Sequence, residues 1–128
     1  MTMMTDRDEL TPEVMRDRAR AQVAKTAAAL ASLVQADLPL ATWMIKRTDC
    51  GELEGQILGG DTVTQCRASW ADFMEWADHF GVTPVNPRPQ YDRHGRSTFR
   101  EIRFTYDDVR VRLYTSLPSP DVAEELGC

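Results

Sequence analysis

The stretch from Phe99 to Thr115 constrains the fold more than any other part of the chain. Phe99 to Tyr106 and Val109 to Thr115 each alternate between apolar and polar side chains, the period of a half-buried strand, and they flank Asp107-Asp108, a residue type that tolerates unusual turn dihedrals. Folding about that pair sets Ile102 opposite Leu113, Phe104 opposite Val111 and Tyr106 opposite Val109 on one face. The other face then carries Arg103, Thr105, Arg110, Arg112 and Tyr114, with Arg103 directly opposite Arg112. Such a hairpin is not stable alone, so the rest of the chain must cover its apolar side.

A second hairpin lies upstream. In Ala41–Arg47 and Glu52–Leu58 the odd positions Ala41, Trp43, Ile45, Leu53, Gly55 and Ile57 are apolar or small, while Thr42, Lys46, Glu52, Glu54 and Gln56 face the other way. A three-residue Asp49-Cys50-Gly51 loop with Gly51 left-handed predicts Trp43 opposite Ile57 and Lys46 opposite Glu54.

Two helices complete the pattern. Thr11-Pro12-Glu13 announces the first, with a threonine cap, a proline at the first helical position and an early acid, and it should run to about Ala36 before Leu38-Pro39. Its expected stripe is Met15, Ala19, Val23, Ala27, Leu30 and Val34, packed on the sheet or, through Val23, Ala27, Leu30 and Val34, on a second copy. The second helix is expected from Ser69, a capping-box-like S-x-x-D, or from near Thr64, to Phe80, with Gly81 as its cap. Trp70, Phe73, Met74, Ala77 and Phe80 form its stripe, and Trp76 lies off centre as a rim residue or a partner contact.

The expected fold is therefore α+β, an N-terminal helix followed by ββαββ, with a four-stranded antiparallel sheet and the helices on one face. With 128 residues, residues 11–117 make one domain, preceded by a flexible segment 1–10 and followed by an acidic tail 118–128. Between the second helix and the second hairpin, residues 82–98 carry three prolines and read as a long loop, a position where function often sits.

Leu38-Pro39-x-x-Thr42-Trp43, Gly51-x-Leu53-x-Gly55, Phe73-x-x-Trp76-Ala77 and Val109-Arg110-Val111-Arg112-Leu113-Tyr114 resemble small uncharacterised ββαββ proteins of actinobacteria and their phages or mobile elements. The likeness covers residues 38–117 and leaves the amino-terminal helix outside. It implies a fold and a type of genome, and it carries over no catalytic residue. Thirteen arginines against two lysines agree with a GC-rich source.

Charge and composition narrow the function. The net charge is −5, yet residues 87–114 carry seven basic and four acidic groups, so a local anion contact is compatible with a chain that does not bind nucleic acid indiscriminately. The Arg103–Arg112 repulsion can be answered by an anionic partner or by Glu52 and Glu54 in a cross-strand ladder. No apolar run approaches the about 20 residues of a membrane span, the start Met1–Glu9 is acidic rather than a secretory signal, and Cys50, Cys66 and Cys128 make no C-x-x-C pair. These features predict a cytoplasmic protein with free thiols.

Candidates for chemistry are few. Cys50, Cys66, His79 and His94 lack zinc-ligand spacing, so no metal or cofactor is expected, and no nucleophile or phosphate-loop motif occurs. Cys66 and His79 would be about 20 Å apart on one helix, unless that helix starts only at Ser69. The expectation is a non-enzymatic accessory protein that binds another protein, as a homodimer in a phage- or mobile-element-like setting. Trp76 and the loop residues Tyr91, Arg93, His94 and Arg96 are its expected contacts. The alternatives are a nucleic-acid regulator using Arg103, Arg110 and Arg112, and a small-molecule sensor with a pocket between the first helix and the sheet.

Overall fold

The computed structural model describes residues 11–46, 51–57, 62–87 and 99–116. The expected flexible start, the acidic tail, Cys50 and the loop positions Tyr91, Arg93, His94 and Arg96 lie outside these residues. In chain order the elements are α1 (Pro12–Gln35), β1 (Thr42–Lys46), β2 (Glu52–Ile57), α2 (Val63–Phe80), β3 (Phe99–Tyr106) and β4 (Val109–Ser116).

Among the described residues the fold is α+β, with two helices and one four-stranded sheet in the order β1-β2-β4-β3. The sheet is mixed and not antiparallel throughout. Both hairpins are antiparallel, but β2 and β4 meet in parallel, with Glu52 beside Arg110, Glu54 beside Arg112 and Ile57 beside Thr115. The reason is the path between the hairpins. Phe80, at the end of α2, stacks on Phe104 near the Asp107-Asp108 turn. The chain then turns back along the outer edge of β3, where Val85 and Glu101 exchange both backbone hydrogen bonds at 2.8–2.9 Å. That return brings β4 in beside β2 with both strands running the same way, which alternation within each strand does not encode.

The second hairpin has the expected register, Ile102↔Leu113, Phe104↔Val111 and Tyr106↔Val109. Asp107 and Asp108 both have positive φ, at 49° and 61°, as a two-residue turn with right-handed strand twist requires. In the first hairpin the register differs from the expectation by two residues, with Trp43 opposite Gly55 and Lys46 opposite Glu52. A slip of two keeps every side chain on its face, so the apolar pattern is blind to it. What decides it is bulk: a Cβ on Gly55 would come within 2.6 Å of the Trp43 ring and 2.8 Å of Leu113, so the glycine is the gap that the indole fills.

Helix α1 starts as expected, with the Thr11 hydroxyl accepting from the Val14 amide at 3.2 Å and Pro12 at the first position. Its buried residues, however, are Thr26, Ala29 and Leu33, while Ala27 and Val34 of the expected seam are exposed and Val23 and Leu30 are half-buried. The packed face is thus turned by one residue, about 100°. Alanine on most sides leaves the helix with little apolar contrast, and the true face contains polar residues whose needs are met locally: the Thr26 hydroxyl donates to the Gln22 carbonyl at 2.8 Å, and both side chains crowd Gly51, whose φ is +67°. Lys25 approaches Asp108, and the Ser32 hydroxyl lies 2.5 Å from that of Tyr106. Residues from Gln22 onward therefore lie against the sheet, and the first turns extend past its hairpin-turn end with Met15 57% exposed.

Helix α2 begins at Val63, beside the earlier of the two expected starts, Thr64, and not at Ser69. Thr62 and Gln65 form a reciprocal capping box, with bonds of 3.1 and 3.2 Å, and Gly81 closes the helix at φ +66°. Its buried face centres on Cys66, Phe73, Trp76 and Ala77, and Trp70, Met74 and Phe80 are only partly buried. Trp76 is therefore a core residue and not the expected rim contact. It is 2% exposed, its Nε1 donates to the Pro39 carbonyl at 2.9 Å, and its ring meets Trp43 edge-on at 5.6 Å. The segment after α1 supplies the acceptor that makes tryptophan burial favourable there. From Trp43 through Trp76 and Phe80 to Phe104, aromatic contacts run from one edge strand of the sheet to the other.

Candidate functional site

Both helices lie on the face carrying Trp43, Leu53, Ile57, Ile102, Val111 and Leu113. The opposite face bears Thr42, Met44 and Lys46 from β1, Glu52, Glu54 and Gln56 from β2, Arg110, Arg112 and Tyr114 from β4, and Phe99, Glu101, Arg103 and Thr105 from β3. Neither helix covers it. On this open side one carboxylate is nevertheless buried: Glu101 is 2% exposed.

Glu101 organises the arginines. Its Oε2 accepts from the Arg103 Nε at 2.8 Å and its Oε1 accepts from the Arg112 Nε, so one carboxylate holds two guanidinium groups. Backbone geometry makes this arrangement compact. Because Glu101 turns both its amide and its carbonyl outward to Val85, its pairing with Tyr114 is a non-hydrogen-bonded one, and so is that of Arg103 with Arg112 two residues on. Cα atoms of such pairs approach to about 4.5 Å, closer than in the hydrogen-bonded positions. Two like charges that close would repel, and the carboxylate between them converts repulsion into a three-membered ionic cluster. The Arg112 pKa is raised above the ordinary guanidinium value, first by the hydrogen bond to Glu101 against the opposing effect of burial, with the charges of Glu101, Glu54 and Glu52 adding to it. Both arginines bind Glu101 through Nε, so their terminal amino groups are not consumed by these two bonds.

The expected ladder partners are in place but act second. Glu52 and Glu54 sit beside Arg110 and Arg112 in the parallel register, and Glu54 pairs with Lys46 at 3.3 Å. Concavities open on this face among the described residues. One, of about 470 Å³, is bordered by Lys46, Glu52, Arg103, Thr105, Arg110 and Arg112; another, of about 290 Å³, is bordered by Glu54, Gln56, Pro87, Phe99, Glu101, Arg112 and Tyr114. Arg112 is common to both, with cations predominating on one side and aromatic rings on the other.

Of the residues expected at a site, the structure brings together Arg103, Arg110 and Arg112. Trp76 is removed from the surface, and Val23, Ala27, Leu30 and Val34 are divided between half-buried and exposed positions on α1. Glu101 was not among the expected residues. Its signal in the sequence is faint but present: it shares a face with Arg103 two residues on, and sits diagonally from Arg112 across the hairpin. Cys66 is fully buried and His79 is exposed near the far end of a continuous helix, so the two are separated by about 20 Å and cannot act as a pair. Among the described residues no group of three His, Cys, Asp or Glu side chains could hold a metal ion, and no helix is long and apolar enough to cross a membrane.

No protein-family profile matches the chain, and neither curated proteins nor solved structures give a significant match.

Proposed function

We propose that the chain is a non-enzymatic accessory protein that binds another protein through the open face of its sheet, in a cytoplasmic, phage- or mobile-element-like setting. The observation that carries this reading is the buried Glu101, which fixes two arginines beside Tyr114 and Phe99 on a face the helices leave uncovered. Arginine and aromatic side chains contribute most to contact energies in protein interfaces, and side chains already held in place lose less freedom on binding. The loop residues Tyr91, Arg93, His94 and Arg96, which lie outside the described residues, belong to the same proposal as further partner contacts. A homodimer through α1 is the second element of the proposal, supported by the exposed Met15 and Val34.

Photocrosslinking tests the reading. A benzophenone amino acid at Thr105, on the open face, should capture one protein species, competed away by excess unlabelled protein but not by the Arg103→Glu/Arg110→Glu variant. The same probe at Ala68, exposed on α2, should not capture it. Equal capture from both positions, or competition by the charge-reversed variant, would contradict the proposal. For the dimer, Met15→Glu/Val34→Glu should halve the mass measured by light scattering; a mass independent of these residues rejects the α1 seam.

A further inference from the structure

We infer that the concavity over β3 and β4 is a receptor for an extended acidic segment of a partner protein, with carboxylates seated on Arg103, Arg110 and Arg112. This rests on the reading of the open sheet face as a protein-binding surface and names the chemistry of what it binds. Lys46, Arg103, Arg110 and Arg112 border the hollow with Glu52, and with the adjoining Glu54 and Glu101 included the four cations still exceed the carboxylates, a local positive excess in a chain whose net charge is −5. Glu101 neutralises only one of the two charges it orders and engages each guanidinium at Nε. Their remaining N–H donors match a carboxylate bidentately, the geometry that favours arginine over lysine for such ligands.

Spacing selects the form of the ligand. Arg110 and Arg112 are two residues apart on one strand, roughly 6.7 Å along it, and an extended peptide repeats its same-side residues over the same interval. Acids at alternate positions of such a segment can therefore meet both arginines, while Arg103 lies beside Arg112 on the neighbouring strand. The cationic strip is narrow. Glu52 and Glu54 on β2 border it, so a polyanion charged along its whole length meets repulsion as it leaves β4, whereas a peptide with acids on one side does not.

The test uses the full chain and a capped octapeptide alternating glutamate and threonine, titrated calorimetrically at low and moderate salt. The controls are an isomeric peptide with its glutamates in one block, inorganic phosphate and a 15-mer of oligo-dT. The alternating peptide should bind at least five-fold tighter than the blocked one, and Arg110→Glu should weaken it at least ten-fold. Two substitutions that each remove one negative charge should act in opposite directions. Glu54→Gln tightens binding several-fold by raising the local potential, and Glu101→Gln weakens it several-fold because the guanidinium pair loses its support. Tightening by both variants would show a diffuse electrostatic surface and overturn the inference. Should Glu101→Gln fail to fold, Arg110→Glu decides the matter: unchanged affinity rejects the site. Oligo-dT or phosphate binding more tightly than the peptide also rejects it in favour of a phosphate ligand. Loss of peptide binding while the Thr105 probe still captures a protein refutes the acidic-segment chemistry and leaves the protein-binding face standing.

Discussion

The two faces of the sheet solve opposite problems. On the helix-covered face, Leu53, Val111, Ile102 and Leu113 are buried among aliphatic and aromatic neighbours, and stability follows from area removed from water and from fit. On the open face the central residues are ionic, and order comes from one carboxylate buried among charges rather than from apolar burial. The first face tolerates exchange of one apolar residue for another of like volume. The second loses its order with the removal of a single carboxylate, because its arginines would then face each other uncompensated. The core and the proposed recognition surface are thus built from side chains that alternate along the same strands.

Substitutions on each face put this contrast to the test. The largest effect is expected from Trp76→Ala, which empties the junction between Trp43 and Phe80 and removes the bond to Pro39; it should cost about 3–5 kcal/mol in denaturant unfolding. Stability within about 1 kcal/mol of wild type would return Trp76 to the surface role its position in the helix pattern suggested. Gly55→Ala should cost up to about 3 kcal/mol, because the new methyl overlaps Trp43 and Leu113; a neutral result would reject the Trp43–Gly55 register. Glu101→Gln comes next at about 1.5 kcal/mol, a value kept low because the Arg103 side chain is 67% exposed and water screens its share. Tyr106→Phe removes the contact with the Ser32 hydroxyl and should cost about 1 kcal/mol, read from the shift of the urea midpoint. Lys46→Ala, which breaks the half-exposed pair with Glu54, should change stability by less than about 0.5 kcal/mol, and a larger loss would mean that β1 depends on charge rather than on Trp43.

The part of the fold that could be read in the sequence was the part set by local rules. The second hairpin, its register about Asp107-Asp108, the caps at Thr11 and Gly81, and the inward faces of all four strands follow from periodicity and turn chemistry. Three features depend on contacts distant in sequence and were not legible. The parallel meeting of β2 and β4 follows from the return of the chain along β3 at Val85, whose bridge to Glu101 lies between Pro84 and Pro87. Trp76 turns inward because the Pro39 carbonyl, 37 residues away, accepts its N–H. In α1 the buried face includes Thr26, which an apolar stripe omits because the threonine meets its own hydrogen-bonding needs within the helix. At the candidate site the opposed arginines were visible and the carboxylate that joins them was not, since Glu101 in an alternating strand reads as an ordinary outward residue until Val85 fixes which side of β3 its backbone faces.

Arginine side-chain NMR reads the Glu101 cluster itself. If Glu101 holds Arg103 and Arg112 through Nε, their Nε–Hε signals at neutral pH should be dispersed and slow to exchange with solvent, while that of the exposed Arg110 stays at the free position. Both dispersed signals should collapse toward it in Glu101→Gln. Signals for Arg103 and Arg112 that already coincide with Arg110 in the unaltered protein would contradict the account, since the open face would then carry three independent arginines and no organised site.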